Sequence, residues 1–191
     1  PSRVECMVCH SRAANFVLGP STAQMNKPHD YGGEVKNQLA VLAQLGLIKR
    51  RSDKAGAPAR SPAIDPEKYP HLADPYDDAQ PLAARARSYL HANCAICHIS
   101  AGGGNAQMDL TFSASLKRLN AIDVEPLHHK FNMPDARLIA PGHPERSVLL
   151  SRLAHRGAGT GQMPQLGTNI VDEAAVKLFT DWIGSLKSDE P

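Results

Sequence analysis

All four cysteines of the 191-residue chain fall into two copies of one pattern, Cys6-Met7-Val8-Cys9-His10 and Cys94-Ala95-Ile96-Cys97-His98. Two thiols three positions apart on a helical turn can each add to one vinyl group of a haem. The adjoining histidine then lies beneath the ring as an iron ligand, so five residues set the position and tilt of the group and one coordination site. The pattern predicts two covalently bound haem c groups with their iron, attached through Cys6, Cys9, Cys94 and Cys97 and ligated by His10 and His98. Rival chemistries fit less of it. Four thiolates could hold a structural zinc, but zinc does not require a histidine after each second cysteine. A thioredoxin-type dithiol wants a strand before the motif and a helix after it, and here the order is reversed. Disulfides across such short loops would add little stability and leave both histidines unexplained.

An electron-transfer haem usually has a second axial ligand, and thioether sulfur there raises the reduction potential relative to a second imidazole. Met163 stands in Gly161-Gln162-Met163-Pro164-Gln165-Leu166-Gly167, a Gly- and Pro-rich loop 65 residues after His98 and just before the final helical segment. It is the expected second ligand of the second iron. For the first iron Met25, in the loop after the first motif, is favoured. Met133, followed by Pro134, and His29, His71, His91, His128, His129 and His143 are alternatives, as is an open site.

The elements that must position these residues are helical. Leu82, Ala86, Tyr89, Leu90 and Asn93 recur at helical spacing and predict an amphipathic helix running from Pro81 directly into Cys94. Val176, Phe179, Ile183 and Leu186 share a face of a last helix that opens at Asp172, with Asp172 or Thr168 as N-cap. Pro144 suits the first turn of another helix that buries Leu149, Leu150 and Leu153. A further helix is expected over Glu34 to Ile48, with Val35, Leu39, Leu42 and Leu45 or Gly46 inward. The expected fold class is therefore mainly α. It divides into a first haem module over 1–51, a connector or strap over 52–81 and a second haem module over 82–191. The strap carries Pro58, Pro62, Pro66, Pro70, Pro75 and Pro81, with Ile64, Tyr69, Leu72 and Tyr76 scattered among them. Gly102-Gly103-Gly104 is no phosphate cradle, since no strand precedes it and no Lys-Ser or Lys-Thr follows; it reads as room for a haem edge.

Composition agrees with a core filled partly by something other than side chains. Apolar residues make up 42% and aromatic ones 5%, while 15 Pro and 14 Gly imply many loops. The net charge of +2 comes from interspersed signs, and the short basic run Lys49-Arg50-Arg51 suits a helix C-terminus, so no nucleic-acid partner is expected. No apolar run reaches the length of a transmembrane span. Cys6 lies so near the start that the chain reads as a mature or trimmed form, or as a fragment or domain of a larger secreted redox protein.

Four stretches carry a family resemblance: Arg87 to His98, Ala136 to Gly142, Pro144 to Leu150 and Gln162 to Gly167. With them the second module resembles the cytochrome c domains of secreted bacterial proteins, sometimes fused to quinoprotein-type sugar dehydrogenases. The opening Cys6 to Gln44, with Phe16-Val17-Leu18-Gly19 and Asn37-Gln38-Leu39, is similar to the upstream haem segment of diheme members. His143 departs from this pattern, standing where a helix-capping Asp is expected, and Met25 stands where Leu is common. The resemblance implies a cytochrome c-like helical fold, location in the periplasm or outside the cell, and haem roles for Cys6, Cys9, His10, Cys94, Cys97, His98 and Met163. The expected function is electron transfer without catalysis, relaying single electrons between a redox-protein donor and an acceptor. A diheme peroxidase with one open distal site is the rival, and a gas- or redox-sensing haem module a third reading.

Overall fold

The structure, a computed structural model, describes residues 2–48, 64–157 and 159–187. Among these lie seven α-helices, two 3-10 turns and one two-stranded sheet, with 35% of the residues helical. Helix is thus the dominant regular structure, but loops form most of the described residues, and the mainly helical architecture expected from sequence holds only in that coarse sense. The Pro and Gly content accounts for the difference, because neither residue type sustains a helix interior. No helix among the described residues is long and apolar enough to cross a membrane.

Contacts divide the chain into two compact units, Gly19–Leu72 on one side and Pro1–Leu18 with Ala73–Pro191 on the other. A first module over 1–51, a connector over 52–81 and a second module over 82–191 were expected; contacts group the first cysteine motif in the same unit as the second. Its helix α1 (Arg3–Cys9) buries no residue of its own and cannot found a core. A capping box starts it: Ser2 Oγ accepts from Glu5 N at 3.3 Å while Ser2 N donates to Glu5 Oε2 at 2.6 Å.

The larger unit is built on α4 (Leu82–Asn93), α5 (Leu116–Leu119), α6 (Val148–Ala154) and α7 (Glu173–Ser185). Tyr89 and Leu90 of α4, Leu153 of α6 and Leu178, Phe179, Trp182 and Ile183 of α7 form its core with Leu110, Leu119 and Ile139. Phe179 is fully buried and meets both Tyr89 and Trp182 edge to face, with ring centroids 5.5 and 5.8 Å apart. Asp172 is the α7 N-cap, accepting from Ala175 N at 3.0 Å. Its other oxygen accepts from Tyr76 Oη at 2.5 Å and Tyr89 Oη at 3.2 Å. Burial would raise this carboxyl, but the hydrogen bonds from Tyr76, Ala175 and Tyr89 outweigh it and hold the pKa below its ordinary value. Arg87 ties the 109–114 loop to α4 by donating to the carbonyls of Thr111, Phe112 and Ala114. Pro144 opens a 3-10 turn, Pro144–Arg146, and α6 follows it; Leu153 is buried there, while Leu149 and Leu150 are half-buried.

In the smaller unit, β1 (Pro28–Asp30) pairs antiparallel with β2 (Val35–Asn37), His29 opposite Lys36. Helix α3 occupies Gln38–Gln44 rather than Glu34 to Ile48. Asn37 decides where it begins, its side chain accepting from Ala40 N at 3.1 Å as N-cap, which leaves Val35 in the strand. Leu39 and Ala43 are buried with Ile64, while Leu45 is exposed. Asn26 follows α2 (Thr22–Met25) and donates from Nδ2 to the carbonyls of Pro66, Tyr69 and Pro70, while its Oδ1 accepts from Asn37 Nδ2 at 2.8 Å. Part of the expected strap is therefore fixed within this unit. Lys49, Arg50 and Arg51, and Pro58 and Pro62 of the strap, lie outside the described residues.

Candidate haem sites

Both cysteine motifs fold into the same turn. His10 N donates to Cys6 O at 2.9 Å and His98 N donates to Cys94 O at 2.9 Å, one helical turn from first cysteine to histidine in each case. The first turn closes α1; the second follows α4, whose C-cap is Cys94. This is the geometry in which two thiols and an imidazole can address one flat group together.

At the first motif His10 is exposed, and its Nδ1 lies 2.9 Å from Phe16 O. Paired with a carbonyl, Nδ1 carries the proton and Nε2 keeps its lone pair free, the arrangement that orients a ligating histidine. Asn15 and Phe16 both adopt left-handed backbone conformations, φ 51° and 60°, to bring that carbonyl round. For Phe this conformation is costly, and such strain concentrates at functional positions. Val4, Met7, Phe16, Val17 and Leu18 are all exposed, an apolar surface of the kind a porphyrin covers.

At the second motif, burial holds His98 below its ordinary pKa; the Ala106 backbone favours the protonated ring, and the Arg152 charge opposes it. No hydrogen bond of acceptable geometry reaches its buried Nδ1. Gly104 is pressed so close that a Cβ there would lie 2.5 Å from His98 Nδ1. Burial raises the Cys94 thiol to about 12, and burial together with the neighbouring Cys9 thiol raises Cys97. Among the described residues no group of three or more His, Cys, Asp or Glu side chains is placed to hold a metal ion. The Nε2 that the Phe16 carbonyl leaves available on His10, and the glycine packed against the His98 ring, fit a covalently attached haem.

Met163 is half-buried in its loop and is joined to Pro164 by a cis peptide. Arg152 clasps this loop: its Nη1 donates to Gly161 O at 2.6 Å, and its own carbonyl accepts from Met163 N at 3.1 Å. The guanidinium also lies over the Phe131 ring, 4.9 Å from the centroid. Met25 closes α2 in the smaller unit and is half-buried. Of the alternatives, His91 Nδ1 accepts from Phe112 N, His143 pairs with Glu145, and His29 packs edge to face on Tyr31. His128, His129 and Met133 share one loop. Neither His143 nor Ser147 caps a helix through its side chain; Ser147 is fully buried and instead bridges the preceding loop, accepting from Ala140 N and donating to His143 O. Arg152 and the Phe16 carbonyl were not foreseen; a backbone acceptor leaves no mark in a sequence.

Comparison with protein families, curated proteins and solved structures finds no match to this chain.

Proposed function

We propose that this chain is an exported electron carrier with two haem c groups, working in the periplasm or outside the cell between a redox-protein donor and an acceptor. The observation that carries the reading is the recurrence of one turn, with the same 2.9 Å histidine-to-cysteine hydrogen bond, at two Cys-x-x-Cys-His motifs. A haem bound there supplies a one-electron iron couple. Cys6 and Cys9 hold one group and Cys94 and Cys97 the other. His10 and His98 ligate through Nε2, and Phe16 O keeps the His10 proton on Nδ1. Met163 would provide the second ligand at the second site, favouring ferrous iron. No side chain need bind a substrate, and the fold is read as a loop-rich relative of the cytochrome c class.

Reductive titration of the haem-loaded protein, followed in the visible spectrum, tests this. Two one-electron steps are expected, with no carbon monoxide binding and no peroxide consumption. Carbon monoxide binding together with peroxide turnover would make one site open and the protein a peroxidase instead.

A further inference from the structure

The two motifs were expected in separate modules, yet the glycine triplet between Ala101 and Asn105 joins them. Cys97 O accepts from Gly104 N at 3.1 Å, and His98 O accepts from Leu110 N at 2.9 Å, so the triplet folds back over the second motif. A Cβ on Gly102 would lie 2.2 Å from Cys97 O, and one on Gly104 would strike the His98 ring. Gly103 turns the other way. A Cβ there would lie 1.8 Å from Val8 O and 2.8 Å from Val8 C, inside the first motif. Real Cβ atoms do not approach so closely, and the atoms in the way are backbone, which cannot swing aside. Independently of the glycines, the Cys9 thiol lies against the Cys97 thiol.

On the reading above, each of these sulfurs is bonded to the rim of its own porphyrin. We propose that Gly102–Gly104 clamps the first attachment motif onto the second, so that the groups on Cys9 and Cys97 are held rim to rim and behave as one interacting pair. Charge placed on one iron would then be felt at the other, and the two strong Soret transitions would couple.

The test uses the haem-loaded full chain. A pyridine haemochrome assay first counts the groups, and circular dichroism then examines the Soret region. Two haems and a bisignate couplet are expected. Two haems with two simple, single-signed bands would overturn the pairing and leave the electron-carrier reading intact. Fewer than two haems would overturn both. Gly103→Val should retain both groups but lose most of the couplet, while Gly184→Ala, whose added Cβ meets only the Pro144 ring at 3.9 Å, should leave it unchanged. If Gly103→Val does not mature, the wild-type couplet alone decides. A full couplet in Gly103→Val would refute the clamp.

Discussion

Met163→Ala is expected to remove the thioether from one iron and lower the reduction potential of that site alone, by on the order of 0.1 V or more within the roughly 0.8 V that axial ligation spans. The weak sulfur-to-iron charge-transfer band of the oxidised protein should disappear with it, and carbon monoxide should bind where it did not before. The loop around Met163 is held independently of the thioether. Arg152 donates to Gly161 O and accepts from Met163 N, and its guanidinium is seated on Phe131. The backbone should therefore survive the substitution, and the change should be confined to the iron. An unchanged band and an unchanged potential would remove Met163 from the site.

Phe179→Ala should have the largest effect on stability. The side chain is fully buried between Tyr89 of α4 and Trp182 of its own helix, in edge-to-face contact with both. Deleting a buried phenyl ring costs about 3–5 kcal/mol, from lost transfer energy and from the cavity left behind. Against a typical total of about 5–15 kcal/mol, that is a large fraction of the stability of a domain. Denaturant unfolding of the haem-loaded variant should show a strongly lowered midpoint with an unchanged slope. Its native visible spectrum should be retained, because Phe179 belongs to neither cysteine motif. A loss below about 1 kcal/mol would mean that α7 is not part of the core that supports α4.

The cysteine motifs were legible because their chemistry depends on spacing alone. The periodicity of Leu82, Ala86, Tyr89 and Leu90 and the capping of Asp172 were also readable, being local properties of a helix. Asn37 was not: it sits within an apolar-periodic stretch, and only the competition between its capping side chain and the strand pairing of Val35 shows where α3 starts. Asn26 was silent for a different reason. Its partners are carbonyls about forty residues away, and a backbone acceptor has no sequence signature. The same holds for Phe16 O at His10. Proximity in sequence suggested one module over 1–51 for the first motif; contacts group its helix α1 with the second motif. What backs α1 instead is a glycine a hundred residues away, chosen for the side chain it lacks. Gly102–Gly104 was read as room for a haem edge, whereas in the structure the Val8 backbone and the His98 ring take up that room from opposite directions.

All of this depends on thioether bonds at both motifs. The direct test is the intact mass of the chain, matured in a host that attaches haem c and then stripped of non-covalent ligands by acid denaturation. The mass of the polypeptide plus two haem groups is predicted, with both additions mapping to peptides that contain Cys6–Cys9 and Cys94–Cys97. A bare polypeptide, or one that has lost two hydrogens per cysteine pair to disulfides, would contradict the account.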